Sequence, residues 1–419
     1  MLHAPVVIAA DYAGTFEVGG TSELRGRFTA QAGQGQTGLD VFVEPHARLN
    51  VVNRDGWTFV LGNAPFVTWN DMENGLCTNC VTVYDTGNAS IAWHDHSLNV
   101  TLSEDASGGA FNTVGGPFPQ TTPMAGTMPT TGQPAQTPPQ QVVPNASTLV
   151  WSASTRTALS MQAQVNRVAS LTLGASYLTN GGIDAPSRKI FPEQYGPRAD
   201  ASFSYTLSRQ DQLVTLAYAF ATQFTAGQCY DFATGTFVIG MMQCTPAAQL
   251  ALVSEGIRHA LDRETTLSVD AGISWARSRS TDSVPFQESL YPNGDVELRR
   301  SLGMHGASSV LVGAAIFPVL DWRTAVVNER LQGHVTLSEA LTKLVAFHAN
   351  IDVSQTIPTD APLAATVVGG LAEVSYQSTR QLVFASGVRA WWQQQDPFGS
   401  FSSYMIYFDV TVSPPALRF

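Results

Sequence analysis

Apolar and polar residues alternate along most of this chain with a period of two. From Thr265 to Ala276 the odd positions are Leu267, Val269, Ala271, Ile273 and Trp275, and the even ones are Thr266, Ser268, Asp270, Gly272 and Ser274. From Leu39 to Val51 the set Leu39, Val41, Val43, Pro45, Ala47, Leu49 and Val51 alternates with one that includes Asp40, Glu44, His46, Arg48 and Asn50. A strand sends successive side chains to opposite faces, so each run predicts a strand with one greasy and one wet face. Similar runs cover Leu149–Arg156, Ser170–Tyr177, Ser202–Ser208, Val345–Ser354 and Tyr404–Ser413. At Val214–Phe220 the larger set is Val214, Leu216, Tyr218 and Phe220, read as the greasy face of its strand. These runs exceed the roughly 5–6 residues usual for a soluble strand. Their polar sets are mostly Ser, Thr, Gly, Asn and Gln rather than the Lys and Glu of a soluble outer face.

The connections alternate in length. Short polar turns sit at Asn53–Gly56, Val165–Arg167, Arg209–Asp211, Asp262–Glu264, Ser338–Thr342 and Gln377–Thr379, with longer loops between them. About sixteen strands result, the first near 22–31 and the last near 403–413, with fourteen as the alternative count. An even number puts both termini on the tight-turn side. Aromatics cluster near strand ends, at Trp57, Trp69, Trp151, Trp275, Trp322, Trp391 and Trp392, as the girdles of a membrane barrel require.

Composition narrows the choice. Of 419 residues, 44% are hydrophobic and only 13% charged, which excludes disorder over most of the length. No apolar run approaches the roughly 18–20 residues of a membrane helix. The longest, Val310–Leu320, contains Pro318. The formal charge is −11, so a nucleic-acid partner is not expected. No nucleophile elbow, phosphate loop, HExxH or dinucleotide fingerprint is present. No catalytic residue, cofactor or enzymatic role is therefore assigned.

The chain resembles a bacterial outer-membrane β-barrel of the porin and transporter class. The alternating hairpins over 22–419, the asymmetry of turns and loops, and the final alternating run ending in Phe419 carry the resemblance. It implies an all-β, transmembrane, antiparallel up-and-down barrel in the outer membrane of a Gram-negative bacterium. It also implies contact with outer-membrane lipid, and with the assembly machinery through the C-terminal strand and Phe419. The chain departs from the family pattern at Pro414–Pro415, after which the apolar set moves from even positions to Leu417 and Phe419.

Two segments fall outside the barrel reading. Residues 1–21 are read as an N-terminal segment, the remnant of a signal peptide. Residues 70–147 are read as a long loop insertion, Pro-, Thr-, Gly- and Gln-rich from Ser103 onward. Ahead of its Pro-rich part lie Cys77 and Cys80, then His94 and His96. A local disulfide, a redox pair and a tetrahedral zinc site are three readings of this set. Cys229 and Cys244 bracket another long loop and are expected to be bridged.

Parity assigns Asp40, Glu44, His46, Arg48, Arg156, Asp270, Arg330, His334, His348, Asp352 and Arg389 to the lumen. A basic residue on the lipid face at mid-bilayer would cost about 2–4 kcal/mol, and an acidic one less. Such a lumen implies a channel or transporter for small solutes or ions, with the 70–147 loop as a gate and the acidic loops biasing it toward cations. A non-conducting scaffold or adhesion barrel is the alternative. A transporter of hydrophobic compounds is a third reading, which would show an apolar internal pocket and a lateral opening.

Overall fold

The computed structural model describes residues 12–31, 34–72, 80–112, 149–189, 191–225, 228–231, 236–239, 244–279, 285–302, 308–321, 325–357, 365–395 and 399–418. In chain order the strands begin with β1 (Tyr12–Gln31), β2 (Gln34–Asn53), β3 (Trp57–Asn63), β4 (Phe66–Met72), β5 (Cys80–His94) and β6 (Leu98–Asn112). Then come β7 (Leu149–Asn166), β8 (Ala169–Gly182), the short helix α1 (Ala185–Arg188), β9 (Gln194–Thr206) and β10 (Asp211–Phe224). A separate hairpin, β11 (Gln228–Asp231) and β12 (Thr236–Ile239), precedes β13 (Ala247–Ala260), β14 (Thr265–Arg279), β15 (Gln287–Leu302) and β16 (Ser308–Asp321). The chain ends with β17 (Val326–Ala340), β18 (Val345–Ile357), β19 (Ala365–Thr379), β20 (Leu382–Gln395), β21 (Gly399–Val412) and β22 (Leu417–Arg418).

Neighbouring strands pair antiparallel throughout, and β21 pairs with β1 to close the barrel. The main sheet has 20 segments. They fill eighteen wall positions, because β3 and β4 share one and β22 only extends the edge against β1. The break between β3 and β4 falls at Ala64–Pro65, facing Pro45 of β2. A proline has no N–H to give a ladder, so two facing prolines interrupt it locally.

Eighteen strands correct the sixteen read from sequence. The sixteen all exist, and the additional pair is the hairpin β5–β6, inside the segment taken for a loop. Its lipid side carries Val81, Val83, Ile91 and Leu102, but between them lie Asp85, Gly87, Ala89, Glu104, Ala106 and Gly108, whose small or polar side chains interrupt the greasy set. Residues 12–21, read as part of an N-terminal segment, belong to β1 and pair with β2 along their whole length. The Pro-rich stretch 113–148 lies outside the described residues.

The departure at Pro414–Pro415 has a geometric cause. Val412 of β21 pairs with Gly20 of β1, whereas Leu417 of β22 pairs with Phe16. The intervening stretch holds one residue more than its partner. A one-residue shift exchanges faces, so odd-numbered Leu417 joins the face held by even-numbered Tyr404, Ile406 and Phe408. Phe419 itself lies outside the described residues.

The two faces differ as a membrane wall requires. Leu24, Phe28, Val253, Ile273, Leu298, Val335, Ile351, Ile406 and Phe408 are exposed on one face. The other is polar and far less accessible. No described helix is long and apolar enough to cross a membrane, so the strands are the spanning elements. This is a transmembrane β-barrel, its apolar face set in lipid.

Candidate functional site

The densest polar cluster lies where the barrel closes, on β19, β20, β21, β1 and β2. Register sets Glu373, Gly387, Tyr407 and Arg25 directly opposite one another in sequence across four strands, and Asp409 opposite Glu23. The Tyr407 hydroxyl donates to Glu373 Oε2 at 2.5 Å. Gly387, between them, leaves the space the phenol occupies: a Cβ there would stand 2.6 Å from the hydroxyl. The Arg389 guanidinium lies 4.3 Å from the Tyr407 ring centroid and 4.0 Å from Glu23. Arg25 donates from Nε and Nη2 to the two oxygens of Glu23, and stacks 4.9 Å from the Phe42 ring. Arg27 donates to Asp40 at 3.4 Å, and both side chains are buried. Buried charges must be paired to be tolerated, and alternating signs along these strands supply the partners.

The structure brings Asp40 and Arg389 from the sequence-derived set into this cluster. It adds Glu23, Arg25, Arg27, Glu373, Tyr407 and Asp409. The signal for Glu23, Arg25 and Arg27 was present, since they alternate with Leu24, Gly26 and Phe28.

The other residues of the set lie around the wall on the same polar face. On β2, Glu44, His46 and Arg48 stand opposite Thr21, Gly19 and Glu17 of β1. Arg156 faces Asp105 of β6. His348 stands opposite Glu373 and shares a 3.0 Å hydrogen bond with Ser338. His334 and Asp352 stand opposite each other, and Arg330 faces Phe317 and Thr356. Asp270 is directly opposite Asp295, with Glu297 two positions along. Like charges in register repel; sequence reasoning left Asp295 and Glu297 unassigned to a face, although both fall inside the strand it placed there. Some carboxylates sit instead on the apolar face, where Glu255 accepts from Thr215 at 2.7 Å and Glu104 accepts from Thr157.

Near the long-loop end the polar face gives way to an apolar cluster. Phe220, Phe224, Ala248, Leu250, Ala276 and Tyr291 pack against Ala325 and Val327, all buried. The Tyr291 hydroxyl donates to the Val327 carbonyl at 2.9 Å. The start of β17 thus folds inward and touches β14 directly. The ladder between β15 and β16 begins only at Gly294–Ile316. Pro292 and Pro318 lie on the stretches of β15 and β16 that do not pair with each other, though each pairs on its other side, and a proline has no N–H to give the missing ladder. This also corrects the reading of β10: Val214, Leu216, Tyr218 and Phe220 share the polar face, with Tyr218 opposite Asp200. The register is set by neighbours, since Phe203 and Tyr205 of β9 and Val253 and Ile257 of β13 already occupy the lipid side.

The cysteines separate into two cases. Cys229 and Cys244 form a disulfide, with Cα atoms 5.3 Å apart. Cys77 lies outside the described residues, and so does its pairing. A shared zinc site with His94 is excluded, because Cys80 and His94 are the two ends of the 15-residue β5. At about 3.3 Å per residue they stand roughly 46 Å apart. Among the described residues no group of three or more His, Cys, Asp or Glu could hold a metal ion.

A model of the EpsX exopolysaccharide export family matches residues 39–398. No curated protein is significantly similar to the chain in sequence. The fold is similar to that of the FrpB iron transporter from Neisseria meningitidis. Its F3-3 variant overlays with a TM-score of 0.53 at 10% identity, covering 90% of this chain and 66% of that one. For the F5-1 variant the values are 0.52, 10%, 91% and 67%, and for the copper transporter OprC 0.48, 10%, 91% and 64%. The chain thus spans about two thirds of the length of these proteins, and the likeness to FrpB shows a common barrel fold.

Proposed function

The chain belongs to the EpsX exopolysaccharide export family, and from that membership we propose that the barrel is an outer-membrane channel through which an exopolysaccharide leaves the cell. The observation that carries the reading is a polar face that continues around the wall at mid-height, from Glu44, His46 and Arg48 through Asp200, Asp270, His334 and Asp352 to Arg389 and Tyr407. Hydroxyl-rich polymers are bound through many individually weak hydrogen bonds and through aromatic faces. Ser, Thr, Asn and Gln between the ionic groups supply the first, and Trp391 the second.

In this reading Asp40, Glu44, His46, Arg48, Arg156, Asp270, Arg330, His334, His348, Asp352 and Arg389 line the passage. Both signs are present, so the field should sort solutes weakly by charge, with a bias toward cations. The terminal strands β21 and β22, which both pair with β1, are the segment for the assembly machinery to read. The open ladder between β15 and β16 favours a second reading, a lateral route for a hydrophobic compound. The apolar cluster beside it is filled by Ala325 and Val327, which supports the axial route.

The test is deletion of the gene in a polysaccharide-producing strain. Extracellular polymer should fall while polymer accumulates in the periplasm, and the purified barrel should conduct in a planar bilayer. Undiminished export from the deletion strain, or a folded barrel without conductance, would overturn the reading.

A further inference from the structure

Five titratable side chains of the polar face lay their tips over a glycine on a neighbouring strand. The pairs are His46 with Gly19, Asp200 with Gly174, His334 with Gly313, Asp352 with Gly369, and Tyr407 with Gly387. In each pair the two residues are directly opposite in register. A Cβ on Gly313 would stand 2.4 Å from His334 Cε1, one on Gly174 2.4 Å from Asp200 Oδ1, and one on Gly369 2.9 Å from Asp352 Oδ2. No real Cβ tolerates such distances. The side-chain tips therefore rest on the wall in the space a methyl group would otherwise fill. His334 and Asp352 face each other across β17 and β18, yet each leans outward onto its own glycine.

The five also share a depth. His46 lies seven residues before Asn53, Asp200 six before Thr206, His334 six before Ala340, Asp352 seven after Val345, and Tyr407 five before Val412. At about 3.3 Å per residue and a tilt of about 40°, that is roughly 13–18 Å from the tight-turn end, near the middle of a band about 25 Å tall.

We infer that Gly174, Gly313 and Gly369 are seats that hold Asp200, His334 and Asp352 flat against the wall, and that they thereby set the width of the passage. The inference rests on the channel reading and adds what fixes its bore. Any other residue at a seat would rotate the opposing side chain about χ1 to a staggered position away from the wall. A polymer moving through the barrel meets a polar but level surface at its middle.

These three glycines are suited to a test, because the three nearest atoms to each missing Cβ all belong to the seated side chain and none to backbone. Gly19 and Gly387 are not, since a Cβ there also meets a carbonyl oxygen, of Val412 and Ala372. The triple variant Gly174→Ala/Gly313→Ala/Gly369→Ala is reconstituted in liposomes, and the uptake of neutral oligosaccharides of graded size is measured. The control is Gly26→Ala/Gly333→Ala, where a Cβ meets nothing closer than 3.9 Å. The triple variant should show a smaller size limit and uptake about two-fold slower or worse, while the control matches wild type. Adding Asp200→Ala, His334→Ala and Asp352→Ala to the triple variant should restore the wild-type size limit, whatever its effect on rate. A folded triple variant with the wild-type size limit, or a narrowed one that the truncations do not restore, overturns the inference alone. If the triple variant does not fold, Gly313→Ala with and without His334→Ala decides by the same criteria. A wild-type barrel that passes no solute overturns the channel reading, and this inference with it.

Discussion

Tyr407 and Glu373 reach each other across an intervening strand, with a 2.5 Å hydrogen bond passing over Gly387. The phenol is 1% exposed, so the bond is made away from water and joins three wall strands through their side chains. Substituting Phe for Tyr407 should cost about 1.5–3 kcal/mol, the range for a hydrogen bond to a charged group. Gly387→Ala should cost more, because a Cβ there would also stand 2.6 Å from the Ala372 carbonyl oxygen. Urea unfolding in detergent measures both, and wild-type stability in Tyr407→Phe would show that the bond contributes nothing.

Adjacent residues on β14 should respond in opposite ways to the same change. Val269 pairs with Ile257 and Val296 on the apolar face, whereas Ser268 stands between Arg258 and Glu297 on the polar one. Val269→Arg should reduce folded yield through a lipid-facing cost of about 2–4 kcal/mol. Ser268→Arg should fold and lower cation preference. Heat-dependent mobility on a denaturing gel reports folding, and equal tolerance at both positions would contradict the assignment of faces.

The Cys229–Cys244 bridge closes a loop across a sequence separation of 15 residues. Such a constraint is worth about 3 kcal/mol in the chain-entropy picture. Because β11 and β12 form their own sheet, reduction should loosen this loop and leave the barrel assembled. Alkylation without reductant should find neither thiol free. Proteolysis should cut the reduced loop faster, and equal cutting rates would refute the stabilising role.

Acid sensitivity should have a local origin in the β13–β14 turn. Asp262 accepts hydrogen bonds from the backbone N–H of Glu264 and of Thr265, both at 2.7 Å, and from the Thr265 hydroxyl. Led by the Glu264 N–H, these hold its carboxyl below the ordinary range. A depressed value favours the folded state above the unfolded value, about 3.9. That contribution disappears as pH falls through the lower folded value. Asp262→Asn should lose it at every pH and show a shallower decline in acid. An unchanged acid limb in hydrogen exchange at Leu261–Thr265 would argue against it.

Much of the barrel could be read from two-residue alternation, since lipid on one face and water on the other constrain every second position. Sixteen wall strands and the turn–loop asymmetry follow from that pattern, and the Cys229–Cys244 pairing from the position of both cysteines at the ends of one long loop. Arg389 and Asp40 were legible for the same reason: a charge on an alternating strand has one affordable side. The hairpin β5–β6 was not legible, because Gly87, Ala89, Ala106 and Glu104 interrupt its lipid side between Val83 and Ile91 and beyond Leu102, breaking the alternation in mid-strand. β10 misled in the other direction, since Tyr218 and Phe220 are bulky for reasons of internal packing.

By itself, then, the sequence determined the element type, the faces of most strands and the class of barrel, because these depend on one residue and its nearest chain neighbours. Only the tertiary structure decided the count of eighteen, the inward fold of β17 and the switch of face at Leu417. It alone set Glu373, Tyr407, Arg389 and Glu23 side by side, and laid His334 and Asp352 on glycines of other strands. Each of these depends on cross-strand register, which joins residues far apart in the chain and is fixed only when the last strand meets the first.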